Sequence, residues 1–331
     1  MRAYLFDQNY RMTNIIKQFG DLNINIKKNE ILKNHTTFKI GGPAKYFCVI
    51  DDYDQLIPVL KCAKKNNLDI LIIGGGSNML IADTGYNGLV IKFNIKEIKF
   101  IGQSVILSPD FPLGQLVGLA AVNNLSGLEF ATGIPGTIGG AIVGNAGAYG
   151  GEMAEVVEKV EIIDEFFKKI ILTKADLKFR YRTSILKNTA KILIKAHLSL
   201  KPGNFQKSAE IMKVYALDRF NKHPQQPSAG STFKNIILTG EIEQNLRNKS
   251  SEIPEKFIQY QKIPVAWLIE QLGLKGFKIG GAQISEKHAN HLINLGTASA
   301  DNVVQLISLI KMKVRDELGI QLEEEIRYIG F

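Results

Sequence analysis

The residues from Gly133 to Gly150 form the stretch of this chain that most constrains its chemistry. Glycine occupies seven of the eighteen positions, a density that weakens both helices and strands. Small or β-branched residues separate the glycines, so the backbone can approach a flat or anionic ligand with its N–H groups exposed. A polar, serine-rich surface linker is the alternative, but the stretch contains four large aliphatic residues, Ile134, Ile138, Ile142 and Val143. It therefore predicts buried backbone that cradles a ligand.

A second glycine-rich segment precedes the first by about sixty residues. The apolar run Ile70–Ile73 predicts a short buried strand, and it leads into Gly74-Gly-Gly-Ser-Asn78. The glycines would expose backbone amides to a phosphate, while Ser77 and Asn78 would add side-chain donors. The segment matches neither the P-loop nor the dinucleotide-binding fingerprint. Together with Gly133–Gly150, however, it favours a phosphate-containing ligand.

Few other residues offer metal or redox chemistry. Cys48 and Cys62 are the only cysteines, and each lies in an apolar pattern without the paired spacing of a zinc site. His288 and His291 are spaced to share a helix face, but no cysteine or carboxylate ligand lies nearby. We therefore expect neither a disulfide framework nor a bound metal.

The length and composition are those of an ordinary folded protein. A chain of 331 residues predicts two or three domains. Hydrophobic residues make up 45% and charged residues 22%. No apolar run has the length of a membrane helix, and the first ten residues lack the apolar core of a signal peptide. We expect a cytoplasmic protein without a membrane partner.

The net charge is positive, since 41 basic minus 32 acidic residues gives +9. Such a charge is compatible with nucleic-acid binding. Lysine is spread along the whole chain, however, and the densest cluster, Lys61–Lys65, is typical of a solvated helix face. We expect no nucleic-acid partner, and the same charge would suit a small anionic substrate.

The elements that position the glycine segments follow from hydrophobic periodicity. Residues 1–34 predict a leading helix and strand. The N-terminal half then predicts strands on both sides of a Gly-Gly-Pro turn within His35–Ile50, a helix over Tyr53–Asn67, several strands over Leu80–Phe111, a helix over Leu113–Asn124, and strands over Val156–Leu172 and Ile192–Leu200. Lys201-Pro-Gly203 then marks a domain boundary.

The C-terminal part predicts a second set of elements. Pro224 and Pro227 break the chain after the first of its helices. The set comprises helices over Lys207–Asn221, Ala266–Leu272 and Ser299–Leu318, strands over His291–Asn294 and Ile326–Ile329, and a charged, exposed insertion over Glu241–Lys262. No internal repeat is present.

Eight motifs, spread in order from residue 34 to the C-terminus, resemble one family. They are Asn34-His-Thr-Thr-Phe with Ile40-Gly-Gly-Pro-Ala44, Ile73-Gly-Gly-Gly-Ser-Asn-Met-Leu80, Gly133-Ile-Pro-Gly-Thr-Ile-Gly-Gly140, Asn145-Ala-Gly-Ala-Tyr-Gly150, Phe179-Arg-Tyr-Arg-Thr-Ser184, Ala229-Gly-Ser-Thr-Phe-Lys-Asn235, Gly280-Gly-Ala-Gln-Ile-Ser-Glu-Lys-His-Ala-Asn290 and Glu325-Ile-Arg-Tyr-Ile-Gly330. Together they resemble the flavin-dependent UDP-N-acetylenolpyruvoylglucosamine reductases, the MurB family of peptidoglycan synthesis.

The resemblance implies an α+β fold. An N-terminal extension over 1–38 would precede a two-subdomain FAD-binding domain over 39–203, of the vanillyl-alcohol-oxidase-like (PCMH) type, and a substrate-binding domain over 215–331. It further implies FAD as cofactor and NADPH as reductant. The residues implied to bind FAD are Gly41, Gly42, Gly74, Gly75, Gly76, Ser77, Asn78, Gly133, Ile134, Pro135, Gly136, Gly139, Gly140, Asn145, Gly147 and Tyr149. FAD combines a pyrophosphate with a flat ring, which suits both glycine segments.

The resemblance also implies the chemistry and three catalytic residues. Hydride would pass from NADPH through FAD to the double bond of UDP-N-acetylglucosamine enolpyruvate, and the resulting enolate would need stabilisation and a proton on carbon. Arg182 matches the active-site arginine, whose planar fork suits a carboxylate or enolate. Ser231 matches the proton donor, with Lys234 nearby to assist it. Glu325 matches a glutamate that hydrogen-bonds the substrate, although Glu323 and Glu324 precede it.

Lys222, Asn235 and Gln283 resemble substrate-binding residues. Two departures from the family pattern are present: Ile236 stands where proline is usual, and no room exists between Ser184 and Ser231 for a tyrosine-bearing loop. The chain therefore resembles the shorter branch of the family, with its substrate lid unassigned.

Two other functions remain open from the sequence. A flavin oxidase or dehydrogenase on the same fold would act on an alcohol or sugar, but it would need no carbon protonation by Ser231. A basic nucleic-acid-binding protein would use the glycines only as turns, and it would be colourless when purified. We expect the reductase, acting on a small molecule as a monomer.

Overall fold

The computed structural model of the chain describes residues 14–248 and 252–331. They form two compact units. Unit 1 contains the described residues up to Glu30 together with Pro43–Gly75 and Tyr86–Leu217. Unit 2 contains Ile31–Gly42, Gly76–Gly85 and Asp218–Phe331. The chain therefore passes from one unit to the other within the glycine-rich segment Gly74–Asn78, between Gly75 and Gly76.

Unit 1 has a first layer built on a four-stranded sheet. Its strands are β1 (Ile26–Ile31), β2 (Pro43–Ile50), β3 (Ile70–Ile73) and β5 (Tyr86–Phe93), in the order β1-β2-β5-β3. β5 pairs in parallel with both β2 and β3. Helix α1 covers the described residues 14–20, and α2 (Leu56–Lys65) buries Leu56, Val59, Leu60 and Ala63 at helical spacing. Their side chains join those of the sheet in one hydrophobic core.

A five-stranded antiparallel sheet forms the second layer of unit 1. Its order is β12-β11-β13-β7-β6, with β6 (Ile98–Ile101), β7 (Ser104–Leu107), β11 (Val157–Ile163), β12 (Lys169–Thr173) and β13 (Ile192–Ser199). Helix α3 (Leu113–Val122) buries Leu113, Leu116 and Val117 in a separate core with this sheet. Two cores within one unit agree with the predicted pair of subdomains.

Short elements complete unit 1 and carry the glycine-rich segment Gly133–Gly150. They are β8 (Leu125–Ser126), α4 (Ile138–Val143), β9 (Gly147–Ala148), β10 (Gly151–Glu152), α5 (Met153–Val156), β14 (Lys201–Pro202) and 3₁₀ turns at Tyr53–Gln55 and Glu129–Ala131. Helix α6 (Phe205–Lys222) follows and continues into unit 2.

Unit 2 is organised around an antiparallel sheet and the long helix α10 (Ala300–Leu318). The sheet order is β15-β20-β19-β18, with β15 (Ser228–Ser231), β18 (Lys278–Ile279), β19 (Ala282–Ile284) and β20 (His291–Asn294). Ser299 and Asn302 form a capping box at the start of α10, and Gly319 ends the helix at φ +69°. Its buried side chains, including Val303, Leu306 and Ile310, pack into the core. Each such burial contributes about 1.5–3 kcal/mol.

The other elements of unit 2 are short. They are β4 (Met79–Ile81), which pairs in parallel with β21 (Arg327–Ile329), the pair β16 (Ile236–Ile237) and β17 (Lys262–Ile263), helices α7 (Gly240–Asn248), α8 (Glu255–Gln259) and α9 (Val265–Gln271), and a 3₁₀ turn at Leu32–His35. None of the helices in the described part of the chain is long and apolar enough to span a membrane.

The structure corrects three sequence expectations. The described parts of Glu241–Lys262, 241–248 and 252–262, are not wholly an exposed insertion, because Leu246, Ile253 and Phe257 are buried in the core of unit 2. These three residues are far apart in a charged stretch of sequence, so the sequence pattern did not predict their burial. No strand forms over 36–40, where the chain bends instead. His288 and His291 do not share a helix: His288 lies in a bend and His291 begins β20.

Candidate functional site

The two glycine-rich segments meet within unit 1, backbone against backbone. A Cβ atom added to Gly75 would lie 2.6 Å from the Cα of Gly136, and one added to Gly74 would lie 2.6 Å from Thr137 Oγ1. Neither position therefore tolerates a side chain without movement of its neighbour. Among the described residues, the amides of Gly75 and Gly76 donate to no backbone carbonyl. This is the composition of a cradle for an anionic group.

The segment Gly133–Gly150 is held in place by the loop before α3. Ile138 N donates to Phe111 O at 3.0 Å, Gly139 N donates to Pro109 O at 2.8 Å, and Leu113 N donates to Gly136 O at 3.1 Å. Gly133 and Gly136 have φ angles of +72° and +114°, which favour glycine. The turn Gly133-Ile134-Pro135-Gly136 thus has a fixed course. Gly140, on the exposed side of α4, donates its amide to the N-cap Thr137.

Asn145 connects this segment to the loop that carries Arg182. Its side chain is fully buried, donates from Nδ2 to Arg180 O at 3.0 Å and accepts from Ala154 N at 2.9 Å. Arg182 Nη2 donates to Gly147 O at 2.8 Å, and Ser184 Oγ donates to Val143 O at 2.9 Å. The arginine loop is therefore fastened to the cradle at three points.

Two residues here have strained backbones. Arg182 has a φ angle of +57° and Tyr149 one of +51°, a conformation that side-chain-bearing residues rarely adopt. The ring of Tyr149 stacks on that of Tyr215 in α6, with centroids 3.8 Å apart and planes 2° from parallel. Strain at functional residues is common, since the surrounding contacts over-determine their position.

The remaining residues predicted to bind FAD lie in unit 2. Gly41 and Gly42 pack against the turn after β4, where a Cβ on Gly42 would lie 2.1 Å from Asp83 O. A Cβ on Gly76 would lie 2.2 Å from His35 O. Asn78 Nδ2 donates to Glu325 O at 3.1 Å, and Asn78 O accepts from Arg327 N at 3.0 Å. Ser77 stands between these two anchored residues.

Ser231 and Glu325 lie close together in unit 2. The residue after Ser231, Thr232, accepts from Glu325 N at 2.8 Å through its carbonyl. Asn290 holds the next residue, Phe233: it accepts from Phe233 N at 2.9 Å and donates to Phe233 O at 2.8 Å. Gly230 precedes Ser231 with φ +76° and open space around it. The backbone around Ser231 and that of Glu325 are thus held next to each other within unit 2.

The three consecutive glutamates have different environments. Glu323 pairs with Lys234, and Glu324 pairs with Lys311 at 2.8 Å. Glu325 is half-buried, and both its backbone N–H and its carbonyl are bonded within unit 2. Glu323 and Glu324 each pair with a lysine, and Glu325 is fixed through two hydrogen bonds of its backbone. The structure also engages Lys234, which we expected to assist Ser231, with the carboxylate of Glu323.

The predicted substrate-binding residues lie at separate places in unit 2. Lys222, at the end of α6, is 67% exposed at its side chain and pairs with Asp218 at 2.5 Å. Asn235 Oδ1 accepts from Val265 N at 3.2 Å at the start of α9. Gln283 Nε2 donates to Gly276 O at 3.1 Å. Each residue makes a structural contact, and its role toward a substrate stays a prediction.

A cluster of three histidines escaped the sequence reasoning. His223, His288 and His291 have ring centroids 4.6–5.1 Å apart. No group of three or more histidine, cysteine or carboxylate side chains suited to a metal exists in the described ranges. The only sequence signal was the spacing of His288 and His291, since nothing local connects either of them to His223.

Family models match both parts of the chain. Residues 222–329 match the C-terminal domain of UDP-N-acetylenolpyruvoylglucosamine reductase, and residues 44–165 match an FAD binding domain. A protein of Caldanaerobacter subterraneus subsp. tengcongensis named UDP-N-acetylenolpyruvoylglucosamine reductase is 39% identical over 304 residues, which cover 91% of this chain and 93% of that protein. A Clostridium tetani protein of the same name is 36% identical, with 96% of each chain covered.

A solved structure is similar along nearly the whole chain. The crystal structure of UDP-N-acetylenolpyruvylglucosamine reductase from Thermus caldophilus superposes with a TM-score of 0.73 at 29% identity. The match covers 92% of this chain and 98% of that one. The similarity therefore extends over both units.

Proposed function

Because this chain belongs to the UDP-N-acetylenolpyruvoylglucosamine reductase family, we propose that it reduces UDP-N-acetylglucosamine enolpyruvate to UDP-N-acetylmuramate with NADPH. The observation that carries the proposal is the hydrogen bond from Glu325 N to Thr232 O, which holds a half-buried glutamate next to Ser231. A carboxyl beside a hydroxyl is what a reduction that ends in carbon protonation requires. The product would enter peptidoglycan synthesis in the cytoplasm.

Family membership confirms several expectations. The chain is an oxidoreductase with the predicted α+β fold, and FAD is its cofactor. The tight approach of Gly75 to Gly136 fits such a group, because a side chain on Gly75 would push the two glycine-rich segments apart. We propose Gly74–Asn78 and Gly133–Tyr149 as the segments that hold it. When bound, FAD supplies the hydride that NADPH provides.

Ser231 is the group that we propose delivers a proton to carbon. Hydride addition to the enolpyruvyl double bond leaves negative charge that spreads into the neighbouring carboxylate as an enolate. The second carbon of the former double bond then takes the Ser231 Oγ proton, which leaves an alkoxide to be reprotonated. Serine is a weak acid, so its position must be fixed, and the clamp of Asn290 on Phe233 fixes the strand end.

Arg182 and Glu325 are proposed to stabilise the charge that develops. The guanidinium of Arg182 offers paired donors to a carboxylate or enolate. The hydrogen bond from Arg182 to Gly147 O orients the guanidinium. The positive φ angle of Arg182 costs some backbone strain energy. Glu325, protonated, would donate to an oxygen of the enolate. Lys222, Asn235 and Gln283 are proposed to bind the sugar nucleotide.

A flavin oxidase or dehydrogenase of the same fold is the alternative, and one anaerobic experiment separates the two. The purified protein should be yellow, and NADPH should bleach it. Addition of UDP-N-acetylglucosamine enolpyruvate without oxygen should restore the colour. Bleaching by an alcohol or sugar, with no recolouring by the enolpyruvyl nucleotide, would refute the proposed reductase.

A further inference from the structure

Three histidines of unit 2, one buried and two half-buried, form a connected group beside the strand that carries Ser231. His223 follows α6, His288 lies in the bend before β20, and His291 is the first residue of β20. His223 Nδ1 and His291 Nε2 lie 3.2 Å apart, a hydrogen-bond distance. The ring centroid of His291 is 4.6 Å from that of His288 and 4.9 Å from that of His223. His291 is therefore the central member.

One nitrogen of His291 is left without a partner by the surrounding residues. The side chain is 6% exposed, and its Nδ1 is buried without a hydrogen bond in the described structure. Unsatisfied buried polar atoms are uncommon because each costs about 1–3 kcal/mol. This ring nitrogen is therefore available to a partner, as is Nδ1 of His288 in the same cluster.

The strand pairing places His291 opposite the serine. β15 and β20 are antiparallel, and Ser231 is the residue directly opposite His291. Side chains of directly opposed residues lie on the same face, with Cβ atoms about 4.5–5.5 Å apart. Ser231 Oγ makes no hydrogen bond to another described residue. The pair thus places a serine hydroxyl opposite a histidine whose Nδ1 has no hydrogen bond in the described structure.

We propose that His291 is a positioning residue that acts through Ser231 and returns a proton to it from His223. The proposal rests on the proposed function, because it assumes that Ser231 gives its proton to carbon. The resulting Ser231 alkoxide takes the proton of His291 Nδ1. The His291 Nε2 lone pair then takes the proton of His223 Nδ1, and His223 Nε2 takes one from water, which leaves hydroxide in the solvent. Rotation of both rings restores the starting tautomers before the next turnover. One proton enters from solvent for each proton delivered to carbon.

The surroundings keep both imidazoles neutral, as such a relay needs. Burial, followed by the neighbouring His288 and Arg219, lowers the pKa of His223 to about 4. Burial and the other two histidines lower the pKa of His291 to about 2. The charged groups around the cluster are Asp218, Arg219 and Lys222 on α6, Glu270 on α9 and Lys275 after it. His223 is only half-buried and is therefore more accessible to solvent than His291.

Replacement of His291 by glutamine separates the relay from a purely structural role. Glutamine can keep a hydrogen bond to His223, but an amide cannot take a proton at one end and release it at the other. We expect the His291→Gln enzyme to be reduced by NADPH at the normal rate. Its reoxidation by the enolpyruvyl nucleotide should slow at least about tenfold, and its solvent deuterium isotope effect should rise. Reoxidation within about twofold of the unmodified rate would overturn the relay.

His288→Phe is the matched control, because His288 contacts the same ring without a hydrogen bond to it. We expect its reoxidation rate to stay within about threefold of normal, while His223→Gln should repeat the effect of His291→Gln. Equal slowing by His288→Phe and His291→Gln would overturn the relay in favour of packing. The proposed function has its own test in Ser231→Ala: if that variant reoxidises normally, the proton-donor assignment fails whatever the histidine variants do.

Histidine nitrogen NMR gives a readout that does not depend on turnover. At neutral pH, His291 should be the neutral Nδ1–H tautomer, with its Nε2 accepting from His223. Tautomers are assigned by nitrogen shifts rather than inferred from heavy-atom positions. A neutral Nε2–H tautomer at His291 would leave no proton on the side of Ser231, and it would contradict the proposal.

Discussion

The two units of this protein present functional groups in opposite ways. In unit 1 the proposed cradle consists of glycine backbone without side chains. Gly75 and Gly136 lie so close that a Cβ added to Gly75 would be 2.6 Å from Gly136 Cα. In unit 2 the proposed chemistry lies in the side chains of Ser231 and Glu325, and the hydrogen bond from Glu325 N to Thr232 O holds the two backbones near each other. A backbone cradle suits a cofactor that stays bound, whereas acid–base side chains suit a substrate that changes.

Both units nevertheless use a buried asparagine to position a functional loop. Asn145 bonds to Arg180, two residues before Arg182, in unit 1. Asn290 bonds to Phe233, two residues after Ser231, in unit 2. A side-chain amide offers a donor and an acceptor together, so it can satisfy loop backbone that no strand pairs. The difference between the units therefore lies in what is presented and not in how it is held.

The largest expected effect is loss of the cofactor from a blocked cradle. Gly75→Val should yield folded protein with little FAD, because its Cβ would meet the Gly136 backbone and displace both segments. The flavin-to-protein absorbance ratio after purification measures this. Gly118→Ala in α3 is the control, since its Cβ meets nothing within 4 Å; it should keep full FAD and gain about 0.5–1 kcal/mol of stability. A fully loaded Gly75→Val protein would contradict the cradle.

The second effect distinguishes the two asparagines. Asn290→Ala removes both partners of the buried Phe233 backbone, which should cost about 1–3 kcal/mol for each unsatisfied group. It should slow reoxidation by substrate and leave FAD content unchanged. Asn145→Gly, which keeps the left-handed φ of +44°, should instead disturb the Arg182 loop. Denaturant unfolding and FAD content measure the two; identical profiles for both variants would erase the distinction between units.

The glycine segments and most long elements could be predicted from the sequence because their signals are local. Apolar periodicity identified α2, α3 and α10, and Ser299 and Gly319 bound α10 through its capping chemistry. The pairing of Ser231 with His291 could not be predicted, because it depends on a strand register across sixty residues. The burial of Leu246, Ile253 and Phe257 could not be predicted either, because their spacing along the chain fits no single helix or strand.

A third effect concerns acid stability and belongs to unit 2. His223 and His291 have pKa values lowered to about 4 and about 2, below the ordinary value of about 6.5. The unfolded chain therefore takes up protons first, so the stability present above pH 6.5 is lost as pH falls toward 4. Each histidine steepens this loss by up to about 1.4 kcal/mol per pH unit. Between pH 6 and pH 4.5, His291→Phe should reduce the slope of unfolding free energy against pH by an amount that corresponds to up to one bound proton. Urea titrations at several pH values would measure this slope. An unchanged slope would show that His291 is not neutral in the folded state.

The smallest effect separates neighbouring glutamates. Glu323→Ala removes an exposed ion pair with Lys234, so it should change stability by less than about 1 kcal/mol. Substrate-driven reoxidation should stay within about twofold of normal. Glu325→Ala should slow that step far more, because its carboxyl is proposed to act on the enolate. Rapid-mixing absorbance measures both variants; if Glu323→Ala is the slower, the assignment of Glu325 is wrong.

The division of labour between the units is tested most directly by following both half-reactions of Ser231→Ala without oxygen. Flavin absorbance in a rapid-mixing instrument reports reduction by NADPH and then reoxidation by UDP-N-acetylglucosamine enolpyruvate. The account predicts a normal first step, because unit 1 is untouched, and a second step slowed by about 10²–10⁴-fold. Equal slowing of both steps, or a second step at the normal rate, would contradict it.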